Sequence, residues 1–492
     1  MNCQTLLFRQ RKPSIYLLLP VLVFCCTVCV WAQKQSLNRA HQHYEKGIAL
    51  LEKQQLEEAI AEFREAIRLN PNFAEAHSHL GFALGVKGLL QDSILEFETA
   101  IKLKPNFGDA QYYLGAARWF SNDIDGAIVA LKAAVKLMPK HANAHYYLGL
   151  ALQKRGDLQP AIAELRTTVR LAPAMADAFH ALGLALVKDE DLDGAIEAFQ
   201  TAIKLKPDSA RFHNDLGLAL VQKRDPDGAI TAFNSALRLD PNDLVAHYNL
   251  GMVLIQKSDY SSAIELYRKF IELAPDNAEA HYNLGLALKQ TDKLDEALVE
   301  LRRAIALQPS LREAHYILGL IFMQQSKLDD AVTALRAAIE AKSDYAEAHY
   351  ALGTILQQQG NLDGAIAAFR LALKHAPNAP EIHNTLGTAL SRKGDKEAAR
   401  VEFQEAARLN KLKSNMQAGM FATNTGIAFL KEGKVAAAIE RFQAAVELDP
   451  TNAQAYYNLA TALQRNGQRA AARAAYQKAK QLDPRVKPLP EQ

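Results

Sequence analysis

Residues 278–311 read AEAHYNLGLALKQTDKLDEALVELRRAIALQPSL. Leu284, Leu288, Leu294, Leu298, Leu301 and Ile305 follow helical spacing in two segments. The polar stretch Gln290-Thr-Asp-Lys separates them, and Pro309 ends the second. This is a helix–turn–helix hairpin. Gly285 and Ala297 are small, as paired helices require where their backbones cross closely.

The unit recurs along almost the whole chain. The counterpart of Gly285 stands at 34-residue steps from Gly47 to Gly387, then at Gly426 after 39 residues, and becomes Ala460 after 34 more. Twelve residues further on, every unit carries alanine from Ala59 to Ala472, except for Ser93. Thirteen such units predict an all-α solenoid, in which each hairpin buries its apolar face only against its neighbours. Eleven repeats fill 40–413, five extra residues occupy 414–418, and two repeats fill 419–486. Residues 33–39 form a short lead-in and 487–492 a tail. The insertion reads either as an extension of the preceding second helix or as a hinge. The tail is too short for a capping helix, so repeat 13 is expected to expose an apolar flank or to meet a partner, including a second copy.

The repeat resembles the tetratricopeptide repeat (TPR) family over residues 40–484. Leu284, Gly285, Leu288, Ala297, Leu301, Ala304 and Pro309 occupy its signature positions, and the proline recurs in all repeats except those with Ser343 and Lys411. The family's large aromatic at the fourth position is mostly histidine here, as in repeats similar to the arm of O-linked N-acetylglucosamine transferase. No residues after Pro484 could form that enzyme's catalytic domain. The resemblance implies a right-handed superhelix of about thirteen units, whose first helices line a concave groove for peptides or partner proteins.

The N-terminus has a different character. Arg9, Arg11 and Lys12 precede an apolar run from Ile15 to Ala32 that closes with Val30-Trp31-Ala32. Residues 1–32 therefore have the layout of a secretory signal peptide. At 1.5 Å per residue the run would reach roughly 27 Å, so it also suits an uncleaved signal anchor. Both readings place the repeats outside the cytoplasm, periplasmic or secreted or membrane-anchored through 15–32, because basic residues stay inside. All four cysteines lie in this leader, which leaves the rest without disulfides or thiol chemistry. The chain has 57 basic and 54 acidic residues, and the leader holds three of the bases and no acid. The remainder is balanced, which gives no electrostatic reason to expect nucleic acid.

No nucleophile elbow, phosphate loop, zinc-protease motif or dinucleotide fingerprint occurs, so no catalytic, cofactor or metal residues are assigned. His43, His77, His145, His213, His247, His281, His315, His349 and His383 share repeat position 4. Hairpins roughly 10 Å apart cannot bring successive imidazoles to one metal, and the position shares the buried face, so these histidines are read as packing residues.

Partner-binding candidates lie on the opposite stripe of the first helix, at positions 2, 5, 6, 9, 12 and 13. Gln222, Gln256, Gln290, Gln324 and Gln358 recur at position 13, and Tyr248, Tyr282, Tyr316 and Tyr350 at position 5. Glu279, Glu313 and Glu347 recur at position 2, with Asn249 and Asn283 at position 6. Glutamine pairs with peptide amides as donor and acceptor, and tyrosine adds apolar area with a polar tip. A secondary candidate is Phe82 with Trp119 and Phe120, where Arg118 takes a normally apolar position that Trp119 is expected to cover. The positions that grip a terminal carboxylate in the family's chaperone clamp are not filled here. The sequence therefore reads as an exported, non-catalytic scaffold for proteins or extended peptides. Two alternatives are an assembly factor of an envelope export or polysaccharide machine, and a targeting subunit of a separately encoded glycosyltransferase.

Overall fold

A computed structural model describes the backbone of residues 15–489 and the side chains of 33–489. The leader reading rests on residues 1–32, whose side chains lie outside the described set, as do all of 1–14 and 490–492. Among the described residues there are 25 α-helices and no strand. Helix bounds follow the 34-residue grammar. In repeat 8 the first helix (A) spans Ala278–Gln290 and the second (B) Leu294–Leu307. Short acidic or amide caps start several helices: Asn277 accepts from the Ala280 amide, and Asp191 from that of Gly194. Among the described residues, no helix is long and apolar enough to cross a membrane.

The helices fall into two compact units, Met1–Asp259 and Tyr260–Gln492. Within each unit, A helices pack on their own B helix and on the B helix of the preceding repeat. Core clusters therefore span repeat boundaries. Ile60 and Phe63 of repeat 1 meet Leu80 and Leu84 of repeat 2 in the first unit. Ile366 and Phe369 of repeat 10 meet Leu386 and Leu390 of repeat 11 in the second. The position-8 glycine is required by the crossing. A Cβ on Gly217 would lie 2.5 Å from the ring of Phe233, and one on Gly285 2.8 Å from Leu301 Cγ.

The A–B turn carries a feature that composition obscures. In all thirteen repeats, position 15 adopts a left-handed backbone with φ between +58° and +100°. Six of these residues are glycine, and seven are Gln54, Asn122, Glu190, Arg224, Ser258, Asp292 and Ser326. Each left-handed residue ends helix A, and the amide of the next residue reaches back to a helix-A carbonyl, as Lys293 does to Leu288 at 2.9 Å.

Residues 414–418 lie within one continuous 36-residue helix, Lys396–Lys431, which joins the B helix of repeat 11 to the A helix of repeat 12 without a turn. Leu412, Met416, Met420 and Phe421 are exposed along it. At the C-terminal end the chain folds back. Leu489 packs on the cluster containing Ala460 and Leu463, and the Tyr457 hydroxyl donates to the Pro488 carbonyl at 3.5 Å. The tail thus covers part of the flank of repeat 13.

Candidate functional site

Of the position-4 histidines, His77, His145, His247, His281 and His349 are buried and the other four half-buried, and several carry a polar network. His77 is 7 % exposed; its Nδ1 donates to Glu96 Oε2 at 2.6 Å and its Nε2 donates to the Pro71 carbonyl at 3.1 Å. A carbonyl only accepts, and an ionised carboxylate accepts, so the doubly protonated imidazole is the form that satisfies both contacts. Burial opposes that charge, yet the bonds to Glu96 and Pro71 and the charge of Glu96 outweigh it. The His77 pKa lies above the usual 6.5. The same pair of contacts joins His145 to Glu164 and Pro139, His281 to Glu300 and Pro275, and His383 to Glu402 and Pro377. Each such histidine clips A to B within its hairpin and ties both to the preceding turn. Among the described residues, no group of three or more His, Cys, Asp or Glu converges as a metal site.

The opposite stripe separates into two kinds of position. Gln222 and Gln256 in the first unit, and Gln290, Gln324 and Gln358 in the second, are all exposed. Gln256 lines a 410 Å³ surface pocket with Val221, Arg224, Pro226 and Val253. Gln324 Nε2 donates to Asp292 Oδ1 at 3.1 Å, which orients its amide along the row. Glu279 and Glu347 are exposed at position 2, whereas Glu313 is half-buried and pairs with Arg312 at 2.8 Å.

Positions 5 and 6 instead face one another across neighbouring repeats. A position-5 side chain meets the position-6 side chain 35 residues later: Tyr44 with His79, His180 with Asp215 at 2.6 Å, and Tyr350 with Thr385 at 3.2 Å. Asn249 Nδ2 likewise donates to Asn214 Oδ1 at 3.1 Å. Tyr248, Tyr282, Tyr316 and Tyr350 are half-buried and Asn283 is buried. The Tyr316 ring lies tilted against that of Tyr345, with centroids 5.2 Å apart. Burial, and after it the charge of Glu347, holds the Tyr316 phenol above its usual range. Tyr350 and Asn249 thus help to hold consecutive hairpins together, and the glutamines with Glu279 and Glu347 form the accessible edge. The 35-residue register is readable in the sequence once positions 5 and 6 are compared between repeats.

The secondary candidate also divides. Phe82 and Phe120 line one apolar pocket of 240 Å³, together with Val86 and Tyr113. Trp119 does not line that pocket; it is half-buried against the Leu148–Leu152 cluster, with Lys154 Nζ 5.2 Å from its ring centre. Arg118 Nη2 donates to Glu98 Oε1 at 2.6 Å and its Nη1 to the Gly126 carbonyl.

Hairpins that repeat every 34 residues, stacked through a shared core and carrying an accessible stripe of first-helix side chains, define a helical repeat scaffold. Sequence profiles described as tetratricopeptide repeat match residues 180–243, 290–346, 316–380 and 350–415, and also 453–486. A profile described as TPR repeat matches 47–88, 121–156, 252–292 and 426–467. The chain is a tetratricopeptide-repeat protein, a scaffold suited to binding proteins or peptides. Among solved structures, it is similar to YrrB, titled a TPR protein with an unusual peptide-binding site, at 25 % identity and a TM-score of 0.35 over 38 % of this chain and 97 % of that one. It is similar to MamA from Desulfovibrio magneticus RS-1 at 28 % identity, TM-score 0.33, over 35 % and 96 %. The pilF protein of Pseudomonas aeruginosa matches at 23 % identity, TM-score 0.36, over 42 % and 94 %. No curated protein matches the chain.

Proposed function

We propose that this protein is a non-catalytic scaffold, exported from the cytoplasm, that binds extended segments of partner proteins along its first-helix stripe. The observation that carries this reading is the exposed row Gln290, Gln324 and Gln358, which recurs once per hairpin in the second unit. A glutamine amide offers a donor and an acceptor, as a peptide bond does, so a regular row matches backbone rather than one side-chain sequence. Consecutive hairpins at roughly 10 Å and extended peptide at about 3.3 Å per residue give about three peptide residues per repeat. Export is supported by the basic and apolar order of residues 9–32.

The test replaces Gln290, Gln324 and Gln358 together with alanine. Partners cross-linked to the wild-type chain in its native envelope are identified and then assayed against the variant. Binding is expected to weaken at least tenfold while helicity and thermal unfolding stay unchanged, because the three side chains are exposed. Unaltered partner binding would refute the glutamine row as the binding edge.

A further inference from the structure

The first-helix stripe of repeats 1–3 carries two adjoining pockets that the glutamine row does not explain. The A helices of repeats 2 and 3 span Ala74–Val86 and Gly108–Phe120. Between them lies the 240 Å³ apolar pocket, floored by buried Phe97 and rimmed by Phe82, Val86 and Phe120. These rim side chains are 37 %, 56 % and 63 % exposed, so a contiguous apolar surface faces solvent at one place on the stripe. Tyr113 closes one wall, its ring 5.2 Å from that of Phe82 and 5.8 Å from that of Phe97.

On the other side of Phe82 and Tyr113 lies a 590 Å³ pocket with Glu52, Glu75 and Asp109 on its wall. Among the described residues, Lys104 pairs with Glu75 at 2.7 Å. Glu52 and Asp109 are exposed. The negative field reaches the dividing wall, where burial and then Asp109 hold the Tyr113 phenol above its usual range.

We infer that repeats 1–3 form a docking site for an extended partner segment that places a large apolar side chain between Phe82, Val86 and Phe120 and a lysine or arginine against Glu52 and Asp109. This rests on the peptide-scaffold reading above and names the chemistry of one partner class for it. Both pockets lie on the same stripe, at A-helix positions 2, 6, 9, 12 and 13, and share Phe82 and Tyr113. Apolar burial supplies the anchor, and the acids select the basic neighbour and its orientation. One hairpin step of roughly 10 Å spans about three extended residues, which sets the spacing of the two side chains.

The experiment uses the full chain in mild detergent and fluorescence anisotropy. The probes are fluorescein-labelled Gly-Ser-Lys-Gly-Ser-Phe-Gly-Ser and its reverse order, with controls carrying alanine for phenylalanine or glutamate for lysine. Saturable binding of one Lys/Phe order is expected, at least tenfold tighter than either control and weaker at high salt. Phe120→Ala, at a site too exposed to support the fold, is expected to lower affinity about tenfold. Glu52→Lys with Asp109→Asn is expected to reverse the preference between the lysine and glutamate probes. Equal affinity for all probes, or binding indifferent to these substitutions, would overturn the site. If that indifferent binding were lost in the triple glutamine variant, the scaffold reading would survive without this site. Absence of saturable binding by every probe would overturn the site, and the scaffold reading would then fall only if native partners also ignored the glutamine row.

Discussion

Replacing Glu96 with glutamine tests whether the histidine network stabilises the hairpins through charge. In the wild type, His77 donates to Glu96 at 2.6 Å, with side chains 10 % and 28 % exposed. Glutamine keeps an acceptor oxygen, so the hydrogen bond survives but the charge assistance is lost. A hydrogen bond to a charged group is worth about 1.5–3 kcal/mol against about 1 for a neutral one, so the expected cost is about 1 kcal/mol, roughly fivefold. The sign of the pH dependence follows from the raised pKa of His77. A group whose folded pKa exceeds its unfolded value contributes all its stability below the unfolded pKa and loses it as pH rises through the folded one. The wild-type advantage should therefore be full below pH 6.5, the ordinary histidine value, and fade above it. A stack of repeats does not unfold in one step, so a global melting temperature would average the effect away. Native-state hydrogen exchange of peptides within Ala74–Leu103 reads it locally. At pH 5.5 the variant's protected amides should exchange about fivefold faster than wild type, with the ratio near one at pH 8.5. A ratio that is the same at both values, or larger at pH 8.5, would refute the charged clip.

Two further substitutions test the backbone grammar. Gly217→Ala puts a Cβ 2.5 Å from the ring of Phe233, which is fully buried and cannot swing away. A cost of about 1–3 kcal/mol is expected, read as faster exchange in repeat 6 and spared in repeat 2. Arg224→Gly should stabilise by about 0.5–1 kcal/mol, because arginine is held there at φ +62° where glycine is unstrained. Slower exchange in the flanking helices checks it, and a loss of protection would mean that the side chain contributes more than the strain costs.

The hairpins and their boundaries were legible in the sequence because one rule is written thirteen times. Helix ends, the close glycine crossing and the proline stop all repeat, so local ambiguity averages out. Contacts that join one repeat to the next were harder to see. Tyr350 and Thr385 are 35 residues apart, one more than the period, so reading columns at fixed positions hides their pairing. Column by column the tyrosines form a ladder on the stripe, although each is half-buried. Position 15 leaves no mark in the sequence for another reason: backbone geometry is constant there, but the residue varies from glycine to arginine. Likewise, the histidine column by itself reads as plain packing, because its partners Glu62, Glu96, Glu164, Glu300 and Glu402 lie 19 residues further on, in the second helix. Trp119 and Phe120 adjoin in sequence, which suggests one shared surface. One helical step of about 100° turns the first into the core of the next repeat and leaves the second on the stripe.

Site-specific photo-cross-linking tests the central claim most directly. A benzophenone amino acid is placed singly at Gln290 and Gln324 on the first-helix stripe, and at Arg302 and Arg336 on the exposed face of second helices. After irradiation in cells of the native host, discrete adducts of the same partner are expected from Gln290 and Gln324 and none from Arg302 or Arg336. Adducts that form equally from both faces, or only from the second helices, would contradict the account.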